Sequence, residues 1–120
     1  MGRIERVNEQ IKREIGQILL QELADPRLQF VTITSVDASL DLRHAKVYYS
    51  VLGDEKQIGK AQECLNHAQG MIRRLVGQKI KIRYTPQLMF IYDKTMAISA
   101  KIEETLQEIH NESRENHPDN

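Results

Sequence analysis

Apolar residues recur at three- and four-residue steps from Ile4 through Val7, Ile11, Ile15, Ile18 and Leu19 to Leu23. That stripe predicts an amphipathic helix. Arg3, Arg6, Glu9, Lys12, Arg13 and Glu14 fall largely outside it. The helix is expected to stop near Ala24, because Asp25 precedes Pro26 and is pushed out of the helical region. Its balanced charge and its lack of Trp and Phe argue against a helix lying on a membrane surface.

The pattern then changes period. Phe30 to Val36 is rich in β-branched residues and predicts a strand. Its apolar parity switches between Ile33 and Val36, which implies a bulge or burial on both faces. Ala45 to Val51 alternates cleanly, with Ala45, Val47, Tyr49 and Val51 on one face. The two strands are expected to pair antiparallel across the polar connection from Ser39 to His44. Asp54 with Gln57 three residues later forms a capping-box pattern. Ile58, Ala61, Leu65, Ala68, Ile72 and Leu75 follow at helical steps. Gly70 interrupts the run without changing its period, so two helices meeting at a kink are expected, with Gly77 as the C-terminal stop. From Ile80 to Tyr92 a last strand region is predicted. In it Lys79, Lys81 and Arg83 alternate with Ile80, Ile82 and Tyr84, which would line three cations along one strand face. Pro86 marks that strand as an edge or a bulged one. Asp93 is placed to cap a final helix along Ile98, Ile102, Leu106 and Ile109, and residues 111–120 are polar and expected to fray.

The chain of 120 residues is long enough for one domain with its own core, and it is 40% hydrophobic and 28% charged. A single domain over residues 1–110 is expected. The first residues carry charge and no apolar core segment, so no signal peptide is expected. No apolar run approaches the length of a membrane span. Cys64 stands alone, and with these features it points to the cytoplasm.

Seventeen basic and seventeen acidic residues cancel overall, so only their distribution informs. Residues 66–94 carry Arg73, Arg74, Lys79, Lys81, Arg83 and Lys94 against Asp93 alone, a net of +5, whereas residues 95–120 carry two basic and six acidic residues. No carboxylate interrupts the chain between Glu63 and Asp93. A surface normally mixes signs to limit repulsion, so an external polyanion is implied. Arg73, Arg74, Lys79, Lys81 and Arg83 are the candidate contacts, with Arg3, Arg6, Lys12 and Arg13 as a second patch. Aromatic residues make up 5% and form no basic-aromatic string, which favours phosphate-dominated binding of structured RNA over base stacking. The tyrosines are read as half-buried strand residues.

Catalytic signals are missing. The sequence has no Gly-rich phosphate loop and no nucleophile elbow. Cys64-x-x-His67 offers two ligands where structural zinc needs four. Glu103 and Glu104 are sequence neighbours and do not face each other on a helix. No catalytic residue, metal or cofactor is assigned.

The order of short motifs is more specific than any one of them. Arg6-Val7, Asp25-Pro26-Arg27-Leu28, Val31 to Val36, Asp41-Leu42, Ala45 to Tyr48 and Leu52-Gly53 come first. Ala68-x-Gly70-x-Ile72-Arg73 and Arg83-x-x-Pro86-x-Leu88-x-Phe90-x-x-Asp93 complete the set. Together they resemble the bacterial ribosome-binding factor A family over residues 3–106. The resemblance implies an α+β, type II KH-like fold with a three-stranded sheet and a C-terminal helix. In it an Ala-x-Gly kink at Ala68 and Gly70 replaces the G-x-x-G loop, and both residues are expected to be small because other elements approach them closely. Leu40 departs from the family, whose turn often carries Pro there. The resemblance also implies a non-enzymatic assembly factor. Such a factor binds immature small ribosomal subunits and their ribosomal RNA, assists maturation near the 5′-terminal helix and supports growth in the cold. It would be a monomer when free. A KH-like protein-interaction module without direct RNA binding is the alternative, and a hydrolase with an unrecognised site is a more distant one.

Overall fold

The computed structural model describes residues 2–94. The expected C-terminal helix, the domain limit at 110 and the polar tail lie outside them. The described order is α1 (Arg3–Gln17), β1 (Val31–Ala38), β2 (His44–Val51), α2 (Glu55–Lys79) and β3 (Gln87–Tyr92). The sheet runs β1-β2-β3, with β1 and β2 antiparallel and β2 and β3 parallel. Parallel neighbours need a long crossover, and α2 supplies it. α1 lies on β1, α2 lies on β3, and the helices touch, so both pack on one face of the sheet.

The hydrophobic stripe of α1 does what its spacing predicts. Val7, Ile11 and Ile15 are buried, followed by Ile18 and Leu19. Each such side chain contributes about 1.5–3 kcal/mol on burial. The last turn differs from expectation in kind, since Ile18–Leu23 forms a π-helix. It ends where predicted, at Ala24, which takes a left-handed conformation at φ 46°. A short 3-10 turn, Pro26–Leu28, follows, capped by the Asp25 side chain accepting from the Arg27 amide.

The expected parity switch in β1 is a bulge. Ile33 faces Tyr49 and Ser35 faces Tyr48, leaving Thr34 unpaired in the register. The extra residue returns Val36 and Ala38 to the core side. β2 alternates as predicted, with Ala45, Val47 and Tyr49 buried, and Leu88 and Phe90 of β3 complete that face. The capping box at Asp54 and Gln57 is present in both directions.

Three expectations for the second half are corrected. The two helices are one unbroken helix, because every residue from Glu55 to Lys79 keeps helical conformation through Gly70. Gly77 does not stop it; the last turn closes two residues later, where the Ile80 amide donates to the Val76 carbonyl. Residues 80–86 are irregular and only Gln87–Tyr92 forms strand. Lys79 therefore ends a helix, and Lys81 and Arg83 sit in a loop, not on a strand face. The apolar alternation misled because Ile80 and Ile82 do pack on the core, but from a loop pinned by contacts remote in sequence. β3 is an edge strand, as Pro86 implied.

Candidate nucleic-acid interface

The loop that carries Arg83 and Tyr84 is held in place by α2. Arg73 donates from Nη2 to the Thr85 carbonyl at 2.8 Å, and from Nε to the carbonyls of Thr85 at 3.3 Å and Pro86 at 3.2 Å. One helical turn later Gly77 leaves room for Thr85, since a Cβ there would lie 2.5 Å from Thr85 Oγ1. Gln69 donates from Nε2 to the Leu88 carbonyl. The start of β3 is thus fixed along the helix by side chains at helical steps.

The other wall comes from the β1–β2 connection. The Ser39 amide donates to the His44 carbonyl at 2.8 Å, and the Leu42 amide to the Ser39 carbonyl at 2.9 Å. Leu42 turns the chain at φ 59°. Asp41 Oδ1 accepts from Ser39 Oγ at 2.7 Å and from the Arg43 amide at 3.1 Å. These bonds, with the charges of Arg43 and His44, hold the Asp41 carboxyl below the usual carboxylate range. The Gln87 amide then donates to the Arg43 carbonyl at 2.8 Å, and His44 pairs with Gln87 in the register.

Between these walls lies a cleft of about 480 Å³ lined by Arg43, His44, Arg73, Tyr84, Thr85 and Gln87. The Arg83 guanidinium sits 5.4 Å from the centre of the Tyr84 ring, within cation–π range. A neighbouring recess of about 350 Å³ shares His44 and Gln87 and adds Lys46, Asn66, Gln69 and Met89.

Among the described residues, Arg43, Arg73 and Arg83 form no salt bridge. Arg27 and Asp25, by contrast, form a salt bridge at 2.8 Å. That pair does not line the cleft, and in it the Arg27 guanidinium holds the Asp25 carboxyl well below its ordinary range. The hydrogen bonds of Arg73 go to neutral carbonyls, which leaves its charge intact. Cations without a salt-bridge partner lining a cleft attract an anion.

The sequence-derived candidates separate into groups. Arg73 lines the cleft and anchors its loop, and Arg83 covers the aromatic ring beside it. Arg74, Lys79 and Lys81 do not line the cleft. Lys12 and Arg13 line a different groove, about 560 Å³, between α1 and β1. Arg3 and Arg6 lie on α1 outside both. Arg43, His44 and Tyr84 were missed. Arg43 and His44 lie in a stretch of mixed charge, and only the parallel pairing of β2 with β3 brings them to the basic loop. Tyr84 is no half-buried strand residue: it is 60% exposed in a loop. Of the two small residues singled out, Ala68 packs against the core. Among the described residues, nothing lies within 4 Å of a Cβ placed at Gly70, so none of them makes a close approach that would explain that glycine. Cys64 is buried in α2, with Sγ 3.5 Å from Asp25 Oδ2. Burial and the Asp25 charge push its thiol pKa up.

The family model described as ribosome-binding factor A matches residues 3–106. A ribosome-binding factor A from Halothermothrix orenii is 44% identical over 110 residues, covering 92% of this chain and 90% of the relative. The crystal structure of ribosome-binding factor A from Thermus thermophilus aligns at a TM-score of 0.67 and 26% identity, covering 77% of this chain and 97% of that one. A homology model of the Thermus thermophilus ribosome binding factor A was fitted into the cryo-EM map of a 30S–RbfA complex. It aligns at a TM-score of 0.61 and 26% identity, covering 72% and 91%.

Proposed function

Since this chain belongs to the ribosome-binding factor A family, we propose that it binds small ribosomal subunits during their assembly in the cytoplasm, through ribosomal RNA. The observation that carries this reading is the cleft of Arg43, Arg73 and Tyr84 beside Arg83, whose cations form no salt bridge among the described residues. Its finer part is that the protein acts on immature subunits, assists maturation near the 5′-terminal helix of the RNA and supports growth in the cold.

Binding alone is sufficient for such work. A ligand shifts a conformational equilibrium by its differential affinity for the two states. A protein that holds one arrangement of a flexible RNA segment favours that arrangement with no covalent step. Contacts to phosphate come from side chains, because α2 uses its own amides from Ala68 to Met71 in helical hydrogen bonds. This sets the fold apart from domains that clamp the RNA backbone with a glycine loop.

The test is co-sedimentation with purified mature and immature small subunits across a salt series. Wild type runs beside an Arg43→Gln/Arg83→Gln double variant. Arg73 is spared because its removal would also free the loop. Affinity is expected to favour immature subunits and to fall with salt. The double variant should shallow the log–log slope by about 0.9 for each phosphate it no longer neutralises. Salt-insensitive binding that ignores both substitutions would assign the contact to a protein surface instead.

A further inference from the structure

We propose that the cleft takes one unpaired nucleotide, its base stacked on Tyr84 and its flanking phosphates held by Arg43 and Arg73. This rests on the RNA-binding reading above and adds to it a substrate class: a bulged or looped-out nucleotide, not a continuous duplex.

Four observations carry it. Tyr84 is 60% exposed, and an exposed ring inside a basic cleft is the platform on which single-stranded bases stack. Arg83 lies over the ring at 5.4 Å, so the platform is a ring paired with a guanidinium plane, both of which stack on bases. The cleft volume of about 480 Å³ falls in the range of ligand-sized sites, roughly 300–1,000 Å³. The remaining lining groups, His44, Thr85 and Gln87, carry hydrogen-bonding side chains that can meet a base edge as well as the phosphate and sugar oxygens of the same nucleotide.

A paired helix fits less well. Its bases are stacked on each other, and the deep major groove of A-form RNA hides their edges from side chains. Such a helix meets Arg43, Arg73 and Arg83 through phosphates and leaves Tyr84 without work. With one aromatic residue in the cleft, the footprint is one base. The loop holding that ring is fixed by Arg73 and Gly77, so the platform is already in position before RNA arrives.

The experiment compares two RNA hairpins of the same stem, one with a single 2-aminopurine bulge and one fully paired, each titrated with the full chain. The expected result is tighter binding of the bulged hairpin with quenching of its fluorescence. Tyr84→Ala should weaken bulged-hairpin binding about tenfold or more and abolish the quench. Paired-hairpin binding should weaken much less, by only what the ring contributes to ordering Arg83, and the salt slope should stay the same because no charge is removed. Tyr84→Phe keeps the ring and should retain both signals. Because Tyr84 is exposed, the alanine variant should fold, which circular dichroism checks. Unchanged affinity and quenching in Tyr84→Ala overturn the stacking site while leaving salt-dependent RNA binding in place. Wild-type protein that binds neither hairpin overturns both readings.

Discussion

Two glycines of α2 should respond to alanine with opposite signs. Gly70 is exposed and helical, and an added Cβ meets nothing among the described residues within 4 Å. Gly70→Ala should therefore gain the propensity difference, about 0.8–1 kcal/mol. For a chain of this size that is a rise of roughly 3–6 °C in Tm. Gly77→Ala gains the same propensity but places its Cβ 2.5 Å from Thr85 Oγ1. Relieving that overlap requires turning Thr85 or shifting the loop, an overpacking cost of about 1–3 kcal/mol. The net change is a loss of up to about 2 kcal/mol. Thr85→Ala removes the offending oxygen, so in that background Gly77→Ala should become neutral or stabilising. Urea denaturation of the two single glycine variants, Thr85→Ala and the Gly77→Ala/Thr85→Ala double variant closes the cycle, and a coupling of about 1 kcal/mol or more is expected. If Gly70→Ala destabilises, an element does approach that position and the unbroken, uncovered helix is wrong. If the cycle is additive, Thr85 is not what keeps Gly77 small.

Other outcomes follow from single sites. Asp54→Ala removes the side chain that accepts from the Gln57 amide at 2.9 Å and should cost about 1 kcal/mol in urea denaturation. Ala24→Gly relieves a non-glycine residue at φ 46° and should raise stability by a few tenths to about 1 kcal/mol, because the relief of strain exceeds the added freedom of the unfolded chain. The Asp25 carboxyl is held low by Arg27, so its contribution is full above the unfolded value near 3.9 and lost as pH falls below it. Asp25→Asn should flatten the acid side of the stability–pH profile below about pH 4, and an unchanged acid limb refutes the pairing. Cys64, buried with a raised pKa, should alkylate slowly at neutral pH and fast once urea unfolds the chain. Rapid labelling of the native protein would contradict its placement.

The legible parts of the fold were those set by local period. The α1 stripe, the β1 parity switch, the β2 alternation and the Asp54 cap each depend on residues within one or two turns of each other. What was illegible depends on contacts across the chain. Lys79 to Tyr84 alternates like a strand, yet the Ile80 amide still belongs to the last helical turn. The loop after it takes its shape from Arg73, twelve and thirteen residues away from its carbonyl partners. Gly70 and Gly77 look alike as helix interruptions, and only the position of Thr85 separates them. The basic character of residues 66–94 was plain, but two of the six residues lining the cleft are Arg43 and His44, whose local charge is ordinary. No window along the sequence joins them to Tyr84; the pairing of His44 with Gln87 does.

That division bears on how the cleft works. A glycine loop binds phosphate with backbone amides, whose geometry is fixed and whose charge is partial. Here the helix passes through that position unbroken, and its amides are spent internally. The cost of ordering cationic side chains must then be offset by what holds them. Arg73 is already ordered by the Thr85 and Pro86 carbonyls and Arg83 by the Tyr84 ring, whereas Arg74, Lys79 and Lys81 have no such partner among the described residues. Long side chains lose rotamer freedom worth up to about 2 kcal/mol on fixation, so the two pre-ordered arginines should contribute more per charge than the three other cations. Arg74→Gln, Lys79→Gln and Lys81→Gln should therefore each weaken subunit binding less than Arg83→Gln does in the same salt. Equal losses at all four positions would mean that net charge alone governs the contact and that the built cleft adds nothing to it.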